Sequence, residues 1–258
     1  SEVADDLASL QDRLAPFPAP IAFATIEEQL GKPISQIFKS IEEQPVAAAS
    51  IAQVHFAITL EGEEVAVKIL RPGIEEAFER DIAMFRWLAA WAWRLIPSGR
   101  RLKPIEVVEA FAETVRVEMD LRMEAAAASE LRDNFEDEPN FRAPAIDWTR
   151  TARRVLTLER VAGLRVDDIE RLDELGHDRH EIMRTASHAF FRQVFEHGFF
   201  HADMHPGNVF VGEDGALTVI DFGIMGRLDR PTRDYLADML FGMLTRDYQL
   251  VADVHFRA

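Results

Sequence analysis

The most constraining stretch of this chain runs from His201 to Gly223 and reads H-A-D-M-H-P-G-N, then V-F-V-G-E-D-G-A-L-T-V-I, then D-F-G. Two β-prone runs, residues 209–211 and 217–220, flank the turn-forming set Gly212-Glu213-Asp214-Gly215, so the middle of the segment should fold as an antiparallel hairpin. A hairpin returns the chain to its starting point and brings the loop before it beside the residue after it. Asp203, Asn208 and Asp221 then stand at fixed intervals, five residues from 203 to 208 and thirteen from 208 to 221. Phosphoryl transfer needs such a set, with Asn208 and Asp221 placed for one metal ion and Asp203 facing the transferred group. Turn capping by Asp203 and Asn208, or strand ending by Asp221, would account for any one residue but not for the coordinated set.

Composition narrows the partners. With 45 acidic against 29 basic residues the formal charge is −16, which disfavours nucleic acid, whose phosphodiester chain demands clustered Lys and Arg. An acidic chain that handles phosphate must place its few cations locally and recruit a divalent metal through carboxylate and amide groups. The absence of cysteine excludes disulfides and thiolate metal sites, as suits a reducing compartment. The start, S-E-V-A-D-D-L, lacks the basic and apolar runs of a signal peptide. Residues 82–96 are the most apolar stretch, but their 15 positions include Arg86 and Arg94 and fall short of the roughly 20 that a spanning helix needs. They read as a packed or partner-facing helix, with a helix lying on a membrane surface as the alternative.

Three parts are expected. Residues 1–40 form a helical N-terminal extension around Pro16, Pro18, Pro20, Gly31 and Pro33, with Thr25 and Glu28 as a capping box. Residues 41–160 form a small lobe with inserted helices: strands at 51–60 and 64–70 flank Glu61-Gly62-Glu63, helices follow at 74–96 and 104–133, and strands at 144–148 and 153–159. Residues 161–258 form a large lobe with a helix at 179–197, the constraining segment, and helices beyond Pro231.

Further residues complete the chemistry. Lys68 ends the run V-A-V-K, where protein kinases place the lysine that contacts the α and β phosphates, and Ala66 shares its strand face, against the adenine. Such a lysine needs a carboxylate, and the helix at 104–133 offers Glu118, Asp120 and Glu124. Where kinases carry a glycine-rich loop this chain has P-V-A-A-A-S-I-A-Q-V-H at residues 45–55. Alanine permits positive φ and close backbone approach less readily than glycine, so the loop should be stiffer. A zinc site from His201, Asp203 and His205 is rejected, since three ligands within five residues would be strained for a tetrahedral ion.

PVAAASIAQVH, VAVK, the E-M-D of Glu118 to Asp120 with Glu124, HADMHPGN and IDFG together resemble the UbiB family of atypical kinases, kinase-like ATPases of coenzyme Q metabolism. The resemblance begins near Leu10 and covers nearly the whole chain. Its Ala-rich loop is the specific element, because HxDxHPGN and DFG are shared with aminoglycoside and choline phosphotransferases. It implies an α+β, two-lobed protein-kinase-like fold with extra N-terminal helices and a truncated large lobe. It implies ATP and Mg²⁺ as cofactors. Val46, Ala47, Ala48, Ala49, Ser50, Ile51, Ala52, Gln53 and Val54 would be the nucleotide loop, and Lys68 the phosphate lysine. Glu124 would be its helix partner, Glu118 and Asp120 the ExD motif, and Glu159 to Val161 the adenine hinge. Asp203 would be the catalytic aspartate, with Asn208 and Asp221 as Mg²⁺ ligands. Which of Glu118 and Glu124 pairs with Lys68 stays open at this point.

Two departures stand out. The family's KxGQ motif is absent, and the chain stops about 35 residues after DFG, so a trimmed piece of a longer protein is expected. The resemblance implies ubiquinone biosynthesis at the cytoplasmic face of the inner membrane, with lipid or quinone precursors and other biosynthetic proteins as partners. Phosphotransfer to a small molecule or lipid, and a non-catalytic nucleotide- or lipid-binding scaffold, are the alternatives. The stretch after DFG, G-I-M-G-R-L-D-R-P-T, leaves no room for a peptide-binding platform, and Ala202 replaces the arginine that many kinases use to read an activation-loop phosphate.

Overall fold

A computed structural model describes residues 15–95 and 101–257; the expected N-terminal helices before residue 15 lie outside the described residues. The strands are β1 (Phe38–Ile41), β2 (Ala47–Ala48), β3 (Ala52–Thr59), β4 (Glu64–Leu70), β5 (Phe141–Arg142), β6 (Val155–Glu159), β7 (Leu164–Arg165), β8 (Phe199–His201), β9 (Val209–Val211), β10 (Leu217–Val219) and β11 (Met225–Arg227). The α-helices are α1 (Ala19–Leu30), α2 (Ile74–Leu95), α3 (Pro104–Glu118), α4 (Leu121–Asn134), α5 (Ile169–Glu174), α6 (Arg179–Phe191), α7 (Arg230–Thr245) and α8 (Tyr248–Arg257). They form two compact units, one of Ser1–Ala126 and Ala145–Arg160, the other of Ala127–Pro144 and Val161–Ala258.

The first unit is built on an antiparallel sheet in the order β1-β3-β4-β6, with β2 on β3. Its central hairpin closes at Thr59, whose carbonyl accepts from Gly62 N–H and whose hydroxyl accepts from Glu63 N–H, while Gly62 takes a φ of 97° that favours glycine. The two faces of β4 serve different cores. Val65, Val67 and Ile69 join Phe17, Ala22, Ile26 and Phe38, so α1 belongs to this core; burying a side chain such as Ile26 stabilises by about 1.5–3 kcal/mol. On the opposite face Leu70 joins Ala52, Leu156 and α4 residues Leu121 and Ala125. Helices α2 and α3 pack through Ile82, Ala112, Val115 and Met119.

Four local expectations change. Thr25 lies inside α1, its hydroxyl donating to Ile21 O, because Pro18 and Pro20 start the helix earlier than a Thr25 cap would. The helix expected at 104–133 is two: Leu121 N–H donates to Arg153 O and the Asp120 carboxylate accepts from Arg122 N–H, so the ladder breaks there. Of the strand expected at 144–148 only a bridge from Ile146 to Leu158 forms, because Asp147 turns the chain by accepting from Thr149 and Arg150 N–H. The helix expected to reach residue 197 ends as α-helix at Phe191 and continues as a π-helical turn, Arg192–His197.

In the second unit the sheet order is β5-β10-β9-β7, and β11 pairs with β8. Gly163 takes a φ of 139°, and a Cβ there would lie 2.4 Å from Val211 O. No larger residue fits without moving the β9 backbone.

Candidate active site

Strand alternation puts Lys68 on the same face of β4 as Ala66 and Leu70, the face that α4 covers. Ala125 is fully buried, and its small side chain lets α4 approach the sheet. Glu124, one residue earlier, then meets the lysine: Lys68 Nζ lies 2.7 Å from Oε1 and 2.9 Å from Oε2. Both side chains are largely withdrawn from water, at 17% and 8% exposed, so the pair is screened far less than a surface pair. Glu124 therefore holds Lys68 with both carboxylate oxygens. Glu118 is the last residue of α3. Asp120 is gripped by Arg122 through Nε at 2.8 Å and Nη2 at 2.5 Å, and this guanidinium holds its carboxyl below the usual range.

The Ala-rich segment is itself a hairpin. Val46 N–H donates to Val54 O and Ala49 N–H to Ala52 O, both at 2.8 Å, and Ala47 and Ala48 face Val54 and Gln53. Ser50 and Ile51 form the tip, and none of these residues takes a left-handed φ. Ala66 faces Phe56 and Leu158 across the sheet. At Glu159 the backbone N–H donates to Ala145 O, and Arg160 N–H donates to Glu64 O, so both amides are engaged in backbone hydrogen bonds. Val161 begins the longer segment of the second unit.

In the second unit His201 organises the polar loop. It is buried, and its Nδ1 accepts from Asp203 N–H at 3.2 Å, which leaves Nε2 as the protonated nitrogen that donates to Asp221 O at 2.6 Å. One imidazole thus fixes the backbones of both aspartates. Gln193, buried in the π-helical turn, accepts from His201 N–H at 2.9 Å. Asn208 closes a 3₁₀ turn begun by Pro206, and its carbonyl accepts from Ile220 N–H at 2.8 Å, which sets Asn208 beside the residue that precedes Asp221. Asp221 takes a φ of 66° and accepts from Gly223 N–H; a left-handed non-glycine residue costs roughly 1–3 kcal/mol and concentrates at functional sites.

Among the described residues no three His, Cys, Asp or Glu side chains cluster as a metal site. The donors fixed on neighbouring backbones are the Asp221 carboxylate and the Asn208 amide, both hard oxygen ligands. That set fits Mg²⁺, which typically takes one or two side chains and completes its shell with water and substrate phosphate. Both ring nitrogens of His201 are committed to backbone groups. Gln193 was not legible as a site residue, since in sequence it is one polar position of an amphipathic helix.

Residues 9–255 match the ABC1 atypical kinase-like domain. The chain belongs to this family. Over an aligned stretch of 261 positions that covers all of this chain, it is 41% identical to the probable protein kinase UbiB of Marinobacter nauticus. To that of Pseudomonas aeruginosa it is 43% identical over 258 residues, 98% of the chain. In both cases the chain spans about half of the relative's length, 48%. The Rv3197–erythromycin complex from Mycobacterium tuberculosis has a similar fold, with a TM-score of 0.75 and 28% identity over 95% of this chain and 61% of that one. The α+β kinase-like architecture expected from sequence is thereby established for this ABC1 domain.

Proposed function

We propose that this ABC1 domain is the ATP- and Mg²⁺-dependent catalytic part of a UbiB-type enzyme that hydrolyses ATP in support of ubiquinone biosynthesis. The observation that carries the reading is the His201 bridge, which locks Asp203 and Asp221 into one rigid loop system beside Asn208. Lys68, oriented by Glu124, neutralises the α and β phosphates. Asp203 orients the attacking water and accepts its proton as the water oxygen bonds to the γ-phosphorus and the bond to the β-phosphate oxygen breaks, giving ADP and phosphate. Asn208 and Asp221 would hold Mg²⁺, which would neutralise negative charge on the phosphate. Phosphate release with Mg²⁺, measured for the wild type and for Asp203→Asn, tests this: turnover should fall about a hundredfold or more, and equal rates would refute the reading.

We also propose that the domain works at the cytoplasmic face of the inner membrane, with α2 on the lipid. Met84, Trp87, Leu88, Trp91 and Leu95 all lie exposed on α2, with Trp87 at 59% and Leu95 at 65%. Between Asp81 and Glu106 the sequence holds five basic residues and no acid, within a chain of net charge −16. Exposed tryptophan and leucine beside cations suit anionic headgroups and the acyl boundary. Among the described residues no helix is long and apolar enough to cross a bilayer. Co-sedimentation with vesicles containing anionic lipid, against purely zwitterionic ones, checks the proposal; equal recovery with both would sink it.

A further inference from the structure

Directly after β4, Arg71 grips the tip of the Ala-rich hairpin from one side. Its backbone N–H donates to Ile51 O at 2.7 Å, its Nε to Ser50 O at 3.3 Å and its Nη2 to Ala49 O at 3.3 Å. Three consecutive carbonyls therefore point toward one residue. In a planar trans peptide the N–H points opposite to the C=O, and the described chain has no cis bond. With the carbonyls of Ala49 and Ser50 turned to the guanidinium, the amides of Ser50 and Ile51 are directed away from it, side by side. Successive amides on one side of a turn form a concavity suited to an anion.

The same guanidinium reaches the segment ahead of α1. Nη2 donates to Ala15 O at 3.2 Å, and the cation lies over the Phe17 ring, 5.4 Å from its centroid. Phe17 is in turn fixed to β3, its N–H donating to Gln53 Oε1 at 3.0 Å and its carbonyl accepting from Gln53 Nε2 at 3.2 Å. Gln53 belongs to the Ala-rich segment as well. The strap of residues 15–17 and the tip of the hairpin are thus held by one shared cation and one shared amide.

We propose that Arg71 is a positioning residue for nucleotide phosphate: it orients the tip amides of the Ala-rich hairpin toward the polyphosphate and couples that orientation to the strap at residues 15–17. The inference rests on the ATP-binding reading above. Lysine cannot replace it, because an ammonium lacks the planar fork that serves separate carbonyls.

The test is calorimetric titration of the wild type, Arg71→Ala and Arg71→Lys with ATP and with adenosine. Loss of the charge-assisted hydrogen bonds that hold the hairpin tip should weaken ATP about tenfold in Arg71→Ala, and several-fold in Arg71→Lys. Adenosine, which has no phosphate, should change less than about twofold. If Arg71→Ala fails to fold, Arg71→Lys carries the test alone. Unchanged ATP affinity in a folded variant, or an equal loss for ATP and adenosine, overturns the proposal. Failure of the wild type to bind ATP would instead remove the nucleotide reading on which it stands.

Discussion

Helices α4 and α2 are both amphipathic and rich in small apolar residues, yet they spend that character in opposite ways. On α4 the residues Leu121, Ala125, Ala128 and Leu131 are 0–1% exposed. On α2, 22 residues long, Ile82 and Ala89 are buried while its tryptophans and Met84, Leu88 and Leu95 stay exposed. Apolar content therefore says little about burial. Alanine on α4 marks close approach to a sheet, and tryptophan on α2 stays at the surface, on the face proposed above to meet lipid.

The largest test of this contrast is chemical. Glu124→Gln removes the charge that orients Lys68, and ATP turnover should drop about a hundredfold, whereas Trp91→Ala should leave turnover in the absence of lipid unchanged; similar losses in both would erase the distinction. Next comes packing. Ala125→Leu forces extra volume between α4 and the sheet and should lower stability by about 1–3 kcal/mol in urea unfolding, while Trp91→Ala should stay within about 0.5 kcal/mol. Vesicle binding should reverse the order, with Trp87→Ser and Trp91→Ser together weakening recovery on anionic vesicles about tenfold, and Ala125→Leu, where folded, having no effect.

Smallest is an acid dependence of the sheet that carries α4. His55 is buried between Gln53 and Glu42 O, and burial holds its pKa below the ordinary 6.5. A depressed folded pKa means that its stabilising share is present above 6.5 and lost as the pH falls from there toward the folded value. Unfolding midpoints followed below pH 6.5 should therefore decline less steeply in His55→Asn. His197, also held low by burial, keeps its own share in that variant. Identical slopes would show that His55 is not a source of the decline.

Much of this was legible because its signals are local. The β3–β4 hairpin, the β9–β10 hairpin and the spacing of Asp203, Asn208 and Asp221 are written in contiguous residues, and a hairpin leaves few alternatives for its ends. The break between α3 and α4 was not legible, since it depends on Arg153 O, more than 30 positions away in sequence. The choice of Glu124 was likewise set by how closely Ala125 lets a helix approach a strand, a tertiary fact. The parallel pairing of β5 with β10 has two short partners far apart in sequence and no turn to announce it. Arg71 escaped for the same reason: its partners are carbonyls, which every residue has, so no side-chain pattern marks them.

The left-handed backbone of Asp221 sets terms for any mutational scan of the site. Under the proposed Mg²⁺ role the position answers to two selections at once, an oxygen ligand and a tolerance of φ near 66°. Asparagine keeps the conformation and one oxygen, glycine keeps the conformation alone, and valine or isoleucine would satisfy neither. A scan that ranks residues here by activity alone would merge the two selections. Comparing Asp221→Asn with Asp221→Gly separates the ligand from the backbone that presents it.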